Sequence, residues 1–180
     1  RGRHHWQADT APMVFSATKG VASTVIHRLA DRGLIDYDTP VADYWPEFGA
    51  NGKAGITVRD VMRHRAGLSH LGGVRKRELL DHRHMEERIA AAPVGRHFGK
   101  SAYHALTYGW LLSGLARAVT GKGMRELIRT EVAAPLDTDG IHLGRPGPDA
   151  PTQFARFVGS QMNIPNPVFN AVAPAVAALE

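Results

Sequence analysis

The sequence predicts a mostly helical chain in which short helices are separated by long, glycine-rich loops. Three observations carry that expectation. Apolar residues recur at helical spacing in several segments, beginning with Val21, Val25 and Leu29. Strand-like alternation is almost absent. Glycine and proline break every periodic segment after one to four turns, unlike a simple helix bundle. With 180 residues, 43% hydrophobic and 22% charged, the chain fits one compact domain, residues 1–180, with a sizeable core.

Residues 1–12 are polar apart from Trp6, and read as the end of a strand entering a turn at Pro12. From Ser16 to about Arg32, Val21, Val25 and Leu29 are flanked by Ala22, Ile26 and Ala30, an amphipathic helix that Gly33 stops. A turn, a short helical piece after Pro40 and a second break at Pro46 follow, and "NGKAG" (51–55) is a loop. Thr57 reads as the N-cap of "VRDVMRH", with Asp60 three residues on as a capping-box variant.

Beyond the loop "RAGLSHLGG", residues 76–91 form a charged surface helix ending before Pro93. "VGRHFGKSAYHALTY" is glycine-containing and runs into the apolar helix "YGWLLSGLARAVTG". Residues 123–133 make another helix closed by Pro135. "LDTDGIHLGRPGPDAP" is loop-like with room for one short strand, and the apolar end is broken by Pro165, Pro167 and Pro174.

Composition excludes several functions. There is no cysteine, so no disulfide framework and no thiolate metal site. The formal charge of +5 comes from scattered arginines, with Arg75-Lys76-Arg77 the densest run and no aromatic interleaving, so no nucleic-acid partner is expected. The ten histidines show no metal-binding spacing, and His82 and His84 face apart on a helix, so no metal is expected. No run is long and apolar enough to span a membrane. The amino terminus has neither a methionine nor a signal-peptide core, and reads as the start of a processed or partial product. Location in the bacterial cytoplasm or at the cell envelope stays open.

Chemistry enters at "FSATKG". Ser16 and Lys19 stand three residues apart where a helix begins, so the amine can reach the hydroxyl. A serine hydroxyl needs such a base to become a nucleophile. A lysine serves when its charged form is disfavoured. The helix amino terminus also favours negative charge developing beside the serine. Taken alone, S-x-x-K is a weak signal and reads first as a serine N-cap with a solvated lysine.

The order and spacing of "FSATKGVASTVIHRLADRGLIDYDTPVADYWPEF", "ITVRDVMRHRAGL" and "YHALTYGWLLSGLARAVTG" resemble the serine β-lactamase and penicillin-binding-protein superfamily, and most of all its class C-like carboxylesterase and lipase branch. The resemblance runs from about Trp6 to Gly144. It implies that Ser16 is the acylated nucleophile, that Lys19 is the general base that takes its proton, and that Tyr103, in "YHA", is the second motif's tyrosine and relays the proton. Ala105 stands where the lactamase-type pattern has Asn, which argues against efficient β-lactam or peptide chemistry. His104, Ala105 and Tyr108 are the candidate substrate contacts, with His104 also readable as pointing into solvent or the core and Tyr108 as core, and Gly67 and Leu68 are expected scaffold.

The third family element, Lys-Thr-Gly or His-x-Gly on a late strand, has no match, because Thr120-Gly121-Lys122 has the wrong order and follows a helix. The implied fold is α+β: the β-lactamase/transpeptidase-like fold, represented mainly by its helical domain with little of the antiparallel sheet. Without that sheet, the apolar faces around Val21 and Val25 are expected to be exposed, leaving room for a homo-oligomer. The implied function is hydrolysis of short carboxylic esters through an acyl-enzyme on Ser16, with a small ester as partner and no cofactor. The alternatives are β-lactamase or D-alanyl-D-alanine carboxypeptidase activity, and a catalytically inactive scaffold.

Overall fold

A computed structural model describes residues 5–145 and 153–155. Its helices are α1 (Thr18–Asp31), α2 (Val41–Tyr44), α3 (Val58–Met62), α4 (His82–Ala91), α5 (Thr107–Thr120) and α6 (Met124–Leu127). A 3-10 turn, Phe15–Ala17, leads into α1, and others cover Pro46–Gly49 and Lys76–Leu80. Two-residue strands β1 (Thr10–Ala11) and β2 (Gln153–Phe154) pair in parallel, Thr10 with Gln153 and Ala11 with Phe154. Among the described residues the only further bridge is Pro40 with Thr57. The proline-broken end of the chain lies outside the described residues.

The central element is α5. Trp110, Leu111, Leu112, Ser113, Gly114, Leu115 and Ala116 are all buried, as expected of a helix that is apolar all round. It meets α1 on one side and α4 on another. Gly114 lets the indole of Trp45 lie against the α5 backbone, where a Cβ would fall 2.9 Å from Cζ2 and closer still to two other ring carbons. Helices α4 and α5 are also tied by buried Glu86, which accepts from Arg117 Nε at 2.7 Å and from Ser113 Oγ at 2.5 Å.

Helix α1 turns Ala22, Val25, Ile26 and Leu29 inward, and Val25 is fully buried. This corrects the expectation that the faces around Val21 and Val25 lie open. The apolar stripe packs on α5 and the segment after α6, and Val21 is partly buried. The opposite side is small and exposed, with Ala17, Gly20 and Thr24. Exposed apolar side chains stand instead ahead of α1, at Trp6, Met13, Val14 and Phe15, and singly elsewhere, as at Leu80, Phe98 and Leu136.

Helix ends follow local chemistry. At the close of α1, Leu34 N–H donates to Leu29 O and Gly33 N–H to Ala30 O, with Gly33 at φ +71°. This is the Schellman arrangement. Thr57 and Asp60 form a complete capping box on α3. Residues 76–91, expected as one helix, divide at Asp81, whose carboxylate caps α4 by accepting from His84 N–H. The segment expected as one helix over 123–133 starts as α6 and widens to a π-helix at Ile128–Ala133; a 3-10 turn at Ala134–Leu136 contains Pro135.

One loop residue is unlike its neighbours. Lys53, in "NGKAG", is fully buried and donates to Ala50 O and Ala92 O, closing the end of α4. Burial pushes its ammonium below the ordinary lysine range.

Candidate active site

Ser16 sits in the 3-10 turn that starts α1, exposed to solvent, a turn closed by Ala17 N–H donating to Val14 O at 3.1 Å. The preceding residue, Phe15, holds φ +46°, a left-handed conformation uncommon for an aromatic residue. One turn along the helix, Lys19 Nζ donates to Ser16 Oγ at 3.2 Å.

Tyr103 arrives from the loop before α5. Its ring lies under the Lys19 ammonium, 5.0 Å from Nζ to the ring centroid, and 56% of the residue is exposed. The hydrogen bond with Ser16 is the largest influence on the Tyr103 phenol; opposed next by burial and aided by the weaker hydrogen bond and charge of Lys19, it holds the phenol below the ordinary phenol range. The structure therefore brings together the three residues singled out as catalytic. A phenol whose ionised form is favoured beside a serine hydroxyl can accept that hydroxyl's proton.

Two candidate substrate contacts are instead scaffold. His104 is fully buried: its Nε2 accepts from Leu68 N–H at 3.1 Å and its Nδ1–H donates to Ala102 O at 2.6 Å. Burial, with the nearby His64 and His70, keeps this imidazole below the ordinary histidine range despite the Ala102 bond. Tyr108 is also buried, and burial raises its phenol pKa. Ser23 Oγ donates to Lys19 O at 2.8 Å, leaving a lone pair for the Tyr108 O–H at 2.8 Å. Both side chains point inward because each has found a polar partner inside the fold. Ala105 is half-buried and has no side-chain polar atom to offer.

Gly67 and Leu68 are scaffold, as expected. Gly67 has φ +70°, and a Cβ there would sit 2.8 Å from Phe98 Cα. Gly67 O accepts from Gly95 N–H, and Leu68 O from Thr107 Oγ1.

The residue that sequence reasoning missed is His64. Its ring lies 5.1 Å from that of Tyr103 and 4.4 Å from that of Tyr108, and its Nδ1 accepts from His104 N–H at 3.2 Å. Partial burial, then the charge of Lys19, keeps its imidazole below the ordinary histidine range.

A cavity of about 660 Å³, lined by Arg125, Arg129, Asp139 and His142 among others, contains none of the three candidate catalytic residues. Among the described residues no cluster of three or more His, Asp or Glu could hold a metal ion, and no helix is long and apolar enough to cross a membrane.

The protein named esterase/beta-lactamase LipL, from Mycobacterium tuberculosis (strain ATCC 25618 / H37Rv), is 72% identical over 156 residues, 87% of this chain and 36% of the relative. Among solved structures, a family VIII carboxylesterase superposes with TM-score 0.79 at 36% identity, over 85% of this chain and 42% of its own. EstA from Arthrobacter nitroguajacolicus Rue61a gives 0.79 at 31% identity, over 99% and 48%. A penicillin-binding protein homolog from Caulobacter crescentus gives 0.74 at 36%, over 80% and 39%. The chain thus spans about a third of the length of the curated relative and less than half of these structures. The beta-lactamase family model matches residues 1–178. The chain belongs to the beta-lactamase family, and its fold is the helical part of the β-lactamase/transpeptidase-like fold.

Proposed function

We propose that the protein is a serine esterase for short-chain carboxylic esters, with Ser16 as nucleophile. The observation that carries this is the contact of Lys19 Nζ with Ser16 Oγ at 3.2 Å beside a Tyr103 phenol whose ionised form is favoured. Ser16 Oγ attacks the ester carbonyl carbon and its proton goes to the Tyr103 oxygen. The leaving alkoxide takes that proton and departs as the alcohol, leaving the acyl group on Ser16. Water then attacks the acyl carbon, gives a proton to Tyr103, and Ser16 recovers it as the acid is released. The Ser16 N–H, in the first turn before α1, supplies one donor to the oxyanion.

The roles differ slightly from those expected from sequence, where Lys19 takes the proton first and Tyr103 relays it. Lys19 donates to Ser16, which leaves the Ser16 proton for Tyr103. In this reading the lysine acts through charge, stabilising the phenolate and the forming alkoxide. Ala105 supports an ester over an amide substrate, since no side-chain amide stands there to bind one. The printed name of the Mycobacterium relative keeps β-lactam hydrolysis as a second reading.

The test is hydrolysis of p-nitrophenyl acetate by the protein, with Ser16→Ala and Lys19→Ala in parallel and a chromogenic cephalosporin as a second substrate. Activity in the parent, absent in Ser16→Ala and lowered about 10²–10⁴-fold in Lys19→Ala, is expected. Equal rates in all three would overturn the reading and favour the inactive scaffold. Faster turnover of the cephalosporin than of the ester would favour the second reading.

A further inference from the structure

Helix α3 ends as α1 does, with one difference. Arg65 N–H donates to Asp60 O at 2.7 Å and His64 N–H to Val61 O at 3.0 Å, the same Schellman pairing that closes α1. In α1 the left-handed position is Gly33, the residue that adopts it without strain. In α3 that position is His64, at φ +58°. A side chain stands where the backbone favours none, at a conformational cost.

That side chain and its own carbonyl reach across to both neighbours of Tyr103. His64 O accepts from Ala102 N–H at 3.0 Å, and His64 Nδ1 accepts from His104 N–H at 3.2 Å. The His64 ring leans on the Tyr103 ring between these two bonds. On the far side, the His104 ring links Ala102 O to Leu68 N–H, so the segment 102–104 is braced against 64–68 by three hydrogen bonds. An acceptor at Nδ1 fixes the proton of neutral His64 on Nε2.

We propose that His64 is a positioning residue of the esterase site: it holds Tyr103 over Lys19 and Ser16 by binding the amides on either side of it. This rests on the reading of Ser16, Lys19 and Tyr103 given above. His64 does not touch the reacting atoms. Its effect is on the placement of the phenol, and displacement of a reacting group by about 1 Å can slow a reaction on the order of 10²-fold.

Four variants test this with p-nitrophenyl acetate, each read as kcat, KM and thermal midpoint. His64→Gly keeps the left-handed turn and removes the acceptor and the ring. Its kcat is expected to fall by about tenfold or more with KM nearly unchanged and the fold retained. His64→Asn also tolerates the left-handed turn, and its Oδ1 lies where Nδ1 was, so it is expected to recover most of kcat. His64→Phe keeps a ring without the acceptor and is expected to be slow; it carries the test should His64→Gly not fold. Tyr103→Phe separates the two readings. If Tyr103→Phe is as fast as the parent, the reading of the site fails whatever His64 does. If Tyr103→Phe is slow while His64→Gly or His64→Phe keeps the parent kcat, or if His64→Asn is no better than either, the positioning role is overturned and the site reading stands.

Discussion

Replacing Gly114 with alanine sets two opposing effects against each other, and the packing around Trp45 decides the sign. In an unobstructed helix interior, Gly→Ala stabilises by about 0.8–1 kcal/mol. Here the new methyl would fall 2.9 Å from Trp45 Cζ2 and nearer to two other benzo-ring carbons, whereas carbons at rest stand about 3.5–4.0 Å apart. The indole would have to retreat by on the order of 1 Å. Its other side is closed by Phe48, stacked at 5.5 Å between centroids and itself fully buried. Overpacking of this kind costs about 1–3 kcal/mol, so Gly114→Ala is expected to destabilise by up to about 2 kcal/mol. At about 2–4 °C per kcal/mol for a chain of this size, the thermal midpoint falls by up to about 8 °C.

All three obstructing atoms belong to the six-membered ring of the indole, which leucine lacks. In a Trp45→Leu background the same Gly114→Ala change is therefore expected to raise the midpoint. Calorimetry or circular dichroism melts of the four proteins close the double-mutant cycle. An equal rise in both backgrounds would show that Trp45 does not press on α5, and the account of the core given above would fail.

Two further outcomes follow from the site and the core. Lys19→Met removes two of the three causes that lower the Tyr103 pKa, so ultraviolet tyrosinate titration should show that phenol ionising at higher pH, with Tyr103→Phe as the blank. Under the role proposed for Tyr103, ester hydrolysis rises with pH through that pKa, so this rise should move to higher pH in the variant, and an unmoved rise would remove Tyr103 as proton acceptor. Arg117→Met leaves the buried Glu86 carboxylate with Ser113 alone, and breaking a pair of this kind costs about 3–5 kcal/mol, less here because Arg117 is partly exposed; urea unfolding midpoints measure it.

What the sequence showed plainly was whatever is decided within about four residues. The α1 period, its stop at Gly33 and the Thr57–Asp60 capping box are local, and each appears where it was expected. Ser16 and Lys19 meet for the same reason, and Tyr103 joined them through family resemblance and not through spacing. The division at Asp81 was also local, but a charged run with helical spacing masked the cap. What was not legible depends on long-range pairing. His104 and Tyr108 looked like pocket residues until their partners, Leu68 and Ser23, were placed 36 and 85 residues away. The importance of His64 rests on a left-handed backbone and on an amide 40 residues distant, neither of which its neighbours in sequence betray.

The bond between Ser23 and Tyr108 bears on how the proposed site comes apart on heating. Ser23 lies one turn beyond Lys19 on α1, and Tyr108 lies at the start of α5, five residues after Tyr103. The bond ties the register of α1, which carries Ser16 and Lys19 at its start, to that of α5, which follows Tyr103; one residue of slippage is about 1.5 Å, enough to break the 2.8 Å Ser23–Tyr108 contact. That register is lost only when the shared core of α1 and α5 melts. Loss of the Ser16–Lys19–Tyr103 arrangement should therefore coincide with cooperative unfolding, because the loop that carries Tyr103 is also tied to the end of α3 through His64.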